Sequence, residues 1–501
     1  MKKNKKHNKY FHLQRILGIS TVIIVFLYLI LLIPESPSPV PERALNQPFL
    51  WNQDSLWLTL EERFIKARQT GCDQLSDSIN ESLSTFNYFL DRISSDSLQP
   101  DAKQFSALED ALFNLAPWIG ACEHRIKEYI GLFFRLRYVV KNQSVHWDMN
   151  SGQARRTIYR MLYGGRAAIE EVMLQANKDS IPACVMGHSE PSKTPYTNIL
   201  GVTIHSGDIL VSRGGAPTSA LIARGNDYPG NFSHVALVHV DEETNLASII
   251  EAHIECGVKI ATVDEYLKDK KLRIMVLRLR ADLPQIINDP MLPHKAAASA
   301  LNESLKHHIP YDFEMNYQEN TKLFCSEVAS TPYQKLGIKL WMGISSISSP
   351  GVARWLALFG VKYFKTQEPS DLEYDPQLRV IAEWRDPETL FKDHIDNAVI
   401  EAMLERAESG KDLNYSWYLL PVARIAKLYS SLLNVFGLVG PIPEGMTATA
   451  ALRNQKLTND HNAIKAGTES LAIQFKEQNK YTAPYWKLLT FARKAIVELN
   501  Y

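Results

Sequence analysis

The sequence has no excess of charge of either sign, because 55 lysine and arginine residues balance 55 aspartate and glutamate residues. An extended nucleic-acid surface usually carries a basic excess, so no nucleic-acid partner is predicted. Cys-x-x-Cys and His-Glu-x-x-His motifs are also missing, as is any regular His/Cys spacing. Structural and catalytic metal sites usually show such spacing, so the sequence predicts neither a metal site nor a cofactor.

Cysteine is scarce, and its number is odd. The chain has five cysteines: Cys72, Cys122, Cys184, Cys256 and Cys325. At least one of them must stay free or pair between chains. Cys72 and Cys122 both fall in a helical N-terminal stretch, where a bridge between them is one possibility. Spacing alone does not fix connectivity, so the pairing stays open at this point.

Charge is uneven at the N-terminus, where a basic stretch precedes an apolar run. The basic residues are Lys2, Lys3, Lys5, Lys6, Lys9 and Arg15, and the run covers eighteen residues from Ile16 to Ile33. This pattern predicts a cytoplasmic tail (1–15), a single transmembrane anchor (16–33) in the inner membrane and a periplasmic remainder. A cleaved signal peptide is the alternative, which the stretch 34–37 disfavours because it lacks a small-x-small cleavage site.

Composition divides the rest of the chain. A Pro-rich linker (34–50) precedes a stretch dominated by helical periodicity (51–177), which predicts a helical domain. Pro, Ser, Gly and Asn then mark a boundary loop (178–203). Strand patterns occupy the next part (204–381), and helical periodicity returns in the C-terminal region (382–501).

The central part combines strands with helices. β-rich runs are predicted at 207–211, 233–240, 247–254 and 273–279, with a short helix at 263–268. The second and third runs are close enough in sequence to pair as a hairpin. Segregated strands and helices predict an α+β fold with an antiparallel sheet.

The stretch from Leu323 to Val328 is predicted to begin a short helix that ends at Gly337, with Cys325 in its first turn. Unpaired N–H groups and the helix dipole stabilise a thiolate there, and the thiolate is the nucleophilic form of cysteine. Glu327 at the same helix start is predicted to compensate the dipole. The alternative is that Cys325 is a small buried apolar residue.

Two strand residues can complete this chemistry. His234 and Glu251 lie on the two strands that are predicted to pair, so their side chains can approach each other. A glutamate that orients a histidine, which in turn deprotonates a cysteine, is the arrangement of acyl-transfer enzymes. His253 or Glu255 can replace Glu251 as the third member. By spacing alone the set is weak, because any long chain contains such residues.

The order of short motifs in this region resembles a known family. The motifs are Gly207-Asp208-Ile209, Ser233-His234-Val235, Ile250-Glu251-Ala252, Gly257-Val258, Pro310-Tyr311-Asp312-Phe313, Phe324-Cys325-Ser326-Glu327 and Pro369-Ser370-Asp371. Together they are similar to the permuted papain-like amidases of the YaeF/YiiX type, within the NlpC-type cysteine hydrolases. The resemblance covers 204–381. It implies a permuted papain-like core with Cys325 as nucleophile, His234 as base and Glu251 as third residue, whereas Asp208 is expected to cap a turn.

The resulting hypothesis is a membrane-anchored, extracytoplasmic cysteine hydrolase that cleaves an amide or ester through an acyl-enzyme. Cell-wall peptides and lipid-linked acyl groups are the substrate classes that the resemblance implies. An acyltransferase on the same fold is the enzymatic alternative. A non-catalytic scaffold, in which the helical flanks bind partners, is the alternative from another class.

One C-terminal helix has a second possible task. The pattern from Tyr418 to Val439 places apolar residues on one face and Arg424, Lys427, Ser431 and Asn434 on another. The pattern favours a helix whose apolar face packs on the protein, as in most globular helices. The alternative is that the helix lies on a membrane surface.

Overall fold

The computed structural model describes residues 2–40, 48–49, 54–269 and 271–499, and it leaves the side chains of residues 2–14 and 16 undescribed. Parts of the predicted linker (41–47 and 50) and the first residues of the predicted helical domain (51–53) therefore lie outside the described residues. The side chains of most of the predicted basic tail do as well.

The N-terminal third is helical, as the periodicity predicts. Its helices are α1 (Lys2–Leu31), α2 (Asp54–Thr70), α3 (Cys72–Ser95), α4 (Lys103–Ala121), α5 (Ile126–Ser144), α6 (Gly152–Tyr159) and α7 (Gly165–Met173). A π-helical turn, Arg160–Gly164, joins α6 to α7. The apolar stripes of α3, α4 and α5 form one buried core that includes Phe86, Leu112 and Phe133.

The predicted membrane anchor (16–33) falls on α1, which begins well before it at Lys2 and ends at Leu31. Basic tail and apolar run are thus one continuous helix. Within the part of the chain that the structure describes, no helix is long and apolar enough to cross a membrane. The anchor and its single-pass topology are not supported by the structure.

A disulfide joins Cys72, the first residue of α3, to Cys122, which follows α4. The bond closes a sequence separation of 50 residues. Cys184, Cys256 and Cys325 are free. Cross-linking two helices removes conformations from the unfolded chain and so stabilises the folded one.

We expect replacement of both Cys72 and Cys122 by serine to lower the free energy of unfolding by about 2–4 kcal/mol, since the bond limits the unfolded chain. Denaturant titration of the variant and of wild type, each with and without reductant, measures this effect. Reductant should destabilise wild type, which has the disulfide, and should leave the stability of the double variant unchanged. A Cys184→Ser variant is the control, and a wild-type protein that is insensitive to reductant would contradict the expectation.

The central part is built on a seven-stranded sheet. The chain has eleven strands among its described residues: β1 (Cys184–Met186), β2 (Tyr196–Ile199), β3 (Val202–His205), β4 (Ile209–Gly214), β5 (His234–Val240), β6 (Ala247–His253), β7 (Gly257–Thr262), β8 (Lys271–Leu279), β9 (Ser345–Ser346), β10 (Lys365–Thr366) and β11 (Leu378–Trp384). The order in the large sheet is β1-β11-β8-β4-β5-β6-β7, and β2-β3 and β9-β10 form two small pairs. All pairings are antiparallel.

Four strands and one helix predicted from the sequence are confirmed as β4, β5, β6, β8 and α9 (Val263–Lys268). The predicted hairpin is also confirmed, with Ala236 opposite Glu251. The boundary loop 178–203 differs from the prediction, because it contains β1 and β2. β1 pairs with the distant β11, a partner that local sequence patterns cannot reveal.

Helices cover the sheet and fill the C-terminal region. They are α8 (Pro217–Arg224), α10 (Pro284–Asn288), α11 (Leu292–Lys306), α12 (Glu327–Lys335), α13 (Pro350–Phe359), α14 (Asp371–Tyr374), α15 (Pro387–Glu408), α16 (Leu420–Val435), α17 (Ala448–Asn479) and α18 (Tyr485–Glu498). Helices α11 and α12 share a core with the sheet face that carries Val235 and Leu237. Helix α13 packs with α15, α17 and α18 in a separate core.

Candidate functional site

The β5–β6 hairpin brings His234 and Glu251 together. His234 is the first residue of β5. In the antiparallel register, Glu251 of β6 lies opposite Ala236, which is two residues after His234 and on the same face of the strand. Nε2 of His234 donates a hydrogen bond to Oε2 of Glu251 at 2.8 Å. A carboxylate can only accept, so Nε2 carries the proton and Nδ1 is left as the basic nitrogen.

Burial and pairing set the charges of this pair. Burial favours the neutral form of Glu251, but the contacts from His234 and His253 outweigh it and hold the pKa of Glu251 below its usual value. Burial lowers the pKa of His234, against the opposite influence of Glu251. At neutral pH the site therefore rests as a carboxylate that orients a neutral imidazole, which is the form of histidine that can accept a proton.

Cys325 lies in the turn that precedes α12, and its side chain is buried. Its Sγ lies 3.9 Å from the carbonyl oxygen of Ser233, toward which the thiol donates. Burial raises the pKa of the Cys325 thiol to about 12, although the backbone N–H of Val235 acts in the opposite direction. The cysteine therefore rests as a neutral thiol rather than a thiolate.

The prediction that Cys325 occupies the first turn of the helix is wrong by two residues, because α12 begins at Glu327. The reason is a turn that the sequence pattern does not show. The backbone N–H of Glu327 donates to the carbonyl of Phe324 at 3.0 Å, and the side chain of Glu327 accepts the N–H of Phe324 at 3.0 Å. Cys325 is held inside this turn, next to the start of the helix.

The structure places Cys325 beside His234 without joining their side chains. Among the hydrogen bonds of the described residues, none connects the thiol to the imidazole. Strand alternation puts His234 on the face of Ala236, whereas Val235 faces the core that α12 shares. The thiol thus meets the backbone of β5 on both sides of His234, at Ser233 and Val235, while the ring of His234 is bonded to Glu251. Catalytic contacts of this kind often tighten only when substrate binds.

Two further motifs of the resemblance hold this arrangement in place. Leu323 donates its N–H to the carbonyl of Pro310, and Asp312 donates its N–H to the carbonyl of Leu323. The Pro310–Asp312 segment thereby braces the chain just before Cys325. On the other side, the Ser370 hydroxyl accepts the N–H of Phe232 at 2.9 Å, two residues before His234. Nearby, the Ser326 hydroxyl donates to the carbonyl of Gln367 at 2.6 Å.

Gly207 and Asp208 have structural tasks. A Cβ on Gly207 would lie 2.4 Å from Cβ of Pro293, and its φ of +96° is in the left-handed region. Asp208 is buried, accepts the N–H of His205 at 2.8 Å and receives two hydrogen bonds from Arg278 at 2.7 and 2.8 Å. The turn-capping role predicted for Asp208 agrees with the first of these contacts, and the ion pair with Arg278 adds to it.

The role predicted for Glu327, a carboxylate that compensates the helix dipole, is wrong. Glu327 is fully buried, and this burial raises its pKa to about 9, against the opposing hydrogen bond from Phe324. At neutral pH the group is therefore an uncharged acid. Helical position alone suggested a charge because exposure could not be read from the sequence.

This protonated acid makes stability depend on pH. The folded-state pKa lies above the ordinary 4.5, so the folded protein retains a proton that the unfolded chain releases, and stability falls as pH rises toward 9. We expect Glu327→Gln, which mimics the neutral acid, to lose less stability than wild type between about pH 6 and pH 9. Thermal unfolding at each pH measures the difference, with the exposed Glu319→Gln as control. Parallel pH profiles for wild type and Glu327→Gln would contradict it.

The expectation of no metal site, drawn from sequence spacing, stays a prediction, but one group of side chains has a geometry that could hold an ion. Within the described part of the chain, the side chains of His234, Glu251 and His253 offer ligand atoms that all lie within 4.8 Å of one another, close enough to hold a metal ion. Nε2 of His253 lies 2.9 Å from Oε1 of Glu251. His234 lies on β5, and Glu251 and His253 lie two residues apart on β6, so the predicted hairpin already brings the three residues near one another. Glu255, the other alternative third residue, lies 3.9 Å from Nδ1 of His253 and thus at the edge of the same group.

Comparison with known proteins agrees with the motif order. Residues 203–382 match the family described as permuted papain-like amidase enzymes, YaeF/YiiX, the C92 family. A search of curated proteins found no match. Among solved structures, the metalloprotein yiiX from Escherichia coli O157:H7 is similar at 17% identity and a TM-score of 0.29, over 36% of this chain and 97% of that one. That score is too low to support an inference about the site.

Proposed function

We propose that this protein is an amidase that uses Cys325 as nucleophile, His234 as general base and Glu251 to orient the histidine. The match of residues 203–382 to the permuted papain-like amidases supports a cysteine hydrolase in general. The hydrogen bond of 2.8 Å from Nε2 of His234 to Glu251 is the observation that carries the proposal for these residues. It leaves Nδ1 as the nitrogen that can accept a proton.

The reaction begins from the neutral thiol and neutral imidazole. Because no hydrogen bond joins the thiol to the ring among the described residues, a side-chain rotation must bring Sγ of Cys325 to Nδ1 of His234. The imidazole then takes the thiol proton, and Sγ attacks the carbonyl carbon of an amide or ester. Glu251 stabilises the imidazolium that forms, and the backbone N–H of Cys325 is the candidate donor to the oxyanion.

Product release completes the cycle. The imidazolium of His234 returns its proton to the leaving amine or alcohol, and a thioester remains on Cys325. His234 then removes a proton from water, which attacks the thioester and frees the carboxylic acid and the thiol. If an amine or a lipid hydroxyl replaces water in the second step, the same residues perform an acyl transfer.

The proposed substrates are peptide or lipid-linked amides and esters outside the cytoplasm, with cell-wall peptide as one class. The disulfide between Cys72 and Cys122 supports this location, because such bonds persist in oxidising compartments such as the periplasm.

Trapping of the thioester tests the proposal. Purified full-length protein is mixed with acyl amide and ester substrates and quenched in acid, and the peptide that contains Cys325 is weighed by mass spectrometry. We expect an acyl adduct on Cys325 in wild type and none in a His234→Ala variant. An adduct on Cys256 or Cys184 instead, or an equal yield without His234, would overturn the assignment.

A metal-dependent hydrolase is the second candidate, favoured by the group His234, Glu251 and His253. Two histidines and one glutamate are a known ligand set of catalytic zinc, which activates a water molecule. Here the two proposals make opposite predictions. A thiol amidase should keep its activity in a chelator and lose it when Zn²⁺ occupies His234, whereas a metal hydrolase should lose activity in the chelator and regain it with Zn²⁺.

The non-enzymatic alternative is a scaffold protein. It would show neither a thioester nor hydrolysis by either route. In that case binding by the helical regions would be the property to measure.

A further inference from the structure

The segment from Trp417 to Val439, which contains α16, presents an apolar ridge to solvent. Its members recur at helical spacing on one side of α16 and continue past its end: Val422, Ile425, Leu428, Leu432, Val435 and Phe436. Each of these side chains is more than half exposed, and Val435 reaches 79%. The sequence favoured packing on the protein for this face, and the structure differs from that expectation, because the face is not packed among the described residues.

The same segment turns its two charges inward. Arg424 donates to the carbonyls of Ile30 and Ile33 near the end of α1 and to the carboxylate of Glu35. Lys427 donates to the carbonyls of Pro443 and Glu444 at 2.9 and 2.8 Å. No charged residue between Leu413 and Pro441 is left exposed. A surface without charge loses little hydration when an apolar phase covers it.

A second apolar surface meets the ridge. In α1 the described side chains of residues 17–30 are exposed on every side of the helix and carry no charge. Arg424 fixes the end of this helix to α16. The two surfaces adjoin and carry no exposed charge, so one bilayer surface can cover both without α1 crossing the membrane, whereas a protein partner covers one face.

We propose that the apolar ridge of residues 417–439 binds the surface of a phospholipid bilayer. Its aliphatic side chains lie among the acyl chains, and Trp417, Tyr418 and Tyr429 lie at the level of the headgroups, which aromatic residues with a polar end prefer. The binding is that of an interfacial helix. It requires no crossing by α16 and is independent of the catalytic assignment.

Site-specific photo-crosslinking tests the proposal in the full-length protein. Leu432 is replaced by p-benzoylphenylalanine, the protein is mixed with vesicles of phosphatidylglycerol and phosphatidylethanolamine, and adducts are identified by mass spectrometry after illumination. The matched control is Leu305 of α11, which is exposed to 68% against 57% for Leu432. Both positions are exposed, so neither substitution should prevent folding, and thermal unfolding checks this.

We expect phospholipid adducts at position 432 to exceed those at position 305 by at least about tenfold, because only the ridge reaches the acyl chains. Position 435 should behave as position 432 does. Crosslinks at 432 to a second copy of the chain would overturn the proposal in favour of a dimer. Equal lipid labelling at 432 and 305 would overturn it as well.

Discussion

Cys325→Ser is expected to lower kcat/KM for amide hydrolysis by at least about 10³-fold, because a hydroxyl is a weaker acid and a weaker nucleophile than a thiol beside the same base. Serine differs from cysteine by one atom, so the fold and the turn before α12 should persist. Release of amine from an acyl amide, followed at several substrate concentrations, measures the loss. The thermal unfolding temperature of the variant should match that of wild type.

The chain offers matched controls for this substitution. Cys184 and Cys256 are free, partly buried cysteines outside the His234–Glu251 pair. Cys184→Ser and Cys256→Ser should retain activity near that of wild type. Retained hydrolysis in Cys325→Ser, or an equal loss in Cys256→Ser, would contradict the assignment of the nucleophile.

Alkylation adds a pH-dependent measure of the same residue. Burial raises the pKa of the Cys325 thiol to about 12, so in the substrate-free protein its reaction with iodoacetamide should stay slow at neutral pH and rise as pH increases. The sequence, by contrast, had led to the expectation of a depressed thiol pKa at a helix start. Fast alkylation of Cys325 at neutral pH that disappears in His234→Ala would show that thiol and imidazole already pair at rest.

The second large effect concerns a buried charge network that fastens the N-terminal helices to the sheet. Glu170 of α7 is buried and accepts from Arg273 of β8 at 2.8 Å, Arg385 after β11 at 3.0 Å and His394 of α15 at 3.1 Å. Arg273 also pairs with Asp393 at 2.6 Å. Helical region, sheet and C-terminal helix are therefore held by one set of charges.

Glu170→Gln keeps the shape of the side chain but removes one negative charge from the interior, so Arg273 keeps only Asp393 and Arg385 only Glu383 as a charged partner. We expect the free energy of unfolding to fall by roughly 3–5 kcal/mol, since an uncompensated buried charge is costly. Denaturant-induced unfolding followed by circular dichroism measures the change.

The control is Glu405→Gln, which breaks the pair between Glu405 and Arg493 on the surface. Both of those side chains are about half exposed, so that change should cost only about 0–1 kcal/mol. Equal losses in Glu170→Gln and Glu405→Gln would show that the network adds nothing beyond ordinary surface pairing.

A separate buried ion pair links the helical region to the candidate site. Arg155 of α6 donates to the buried Asp371 at 2.6 Å, and the neighbouring Ser370 holds the backbone before His234. The helices of residues 54–173 thus contact the segment that holds the backbone before His234, through Asp371 and the adjacent Ser370. This contact gives the helical region a positioning role that its apolar stripes did not reveal.

The sequence by itself determined the local elements and the order of motifs. β5, β6 and α9 follow from short-range alternation and capping, and the hairpin follows from the few residues between its strands. The approach of His234 and Glu251 was predictable for the same reason, because neighbouring strands pair locally. The bridge between Cys72 and Cys122 was one open possibility, which only the packing of α3 and α4 turned into a contact.

Only the tertiary structure decided the features that depend on burial or on distant partners. Glu327 is an uncharged acid and Cys325 is a neutral thiol, because residues far apart in sequence bury them. For the apolar face of α16, the sequence allowed both packing on the protein and exposure, and only the structure shows that the face is exposed. Local pattern fixes which side chains share a face, whereas the surroundings of that face depend on the whole chain.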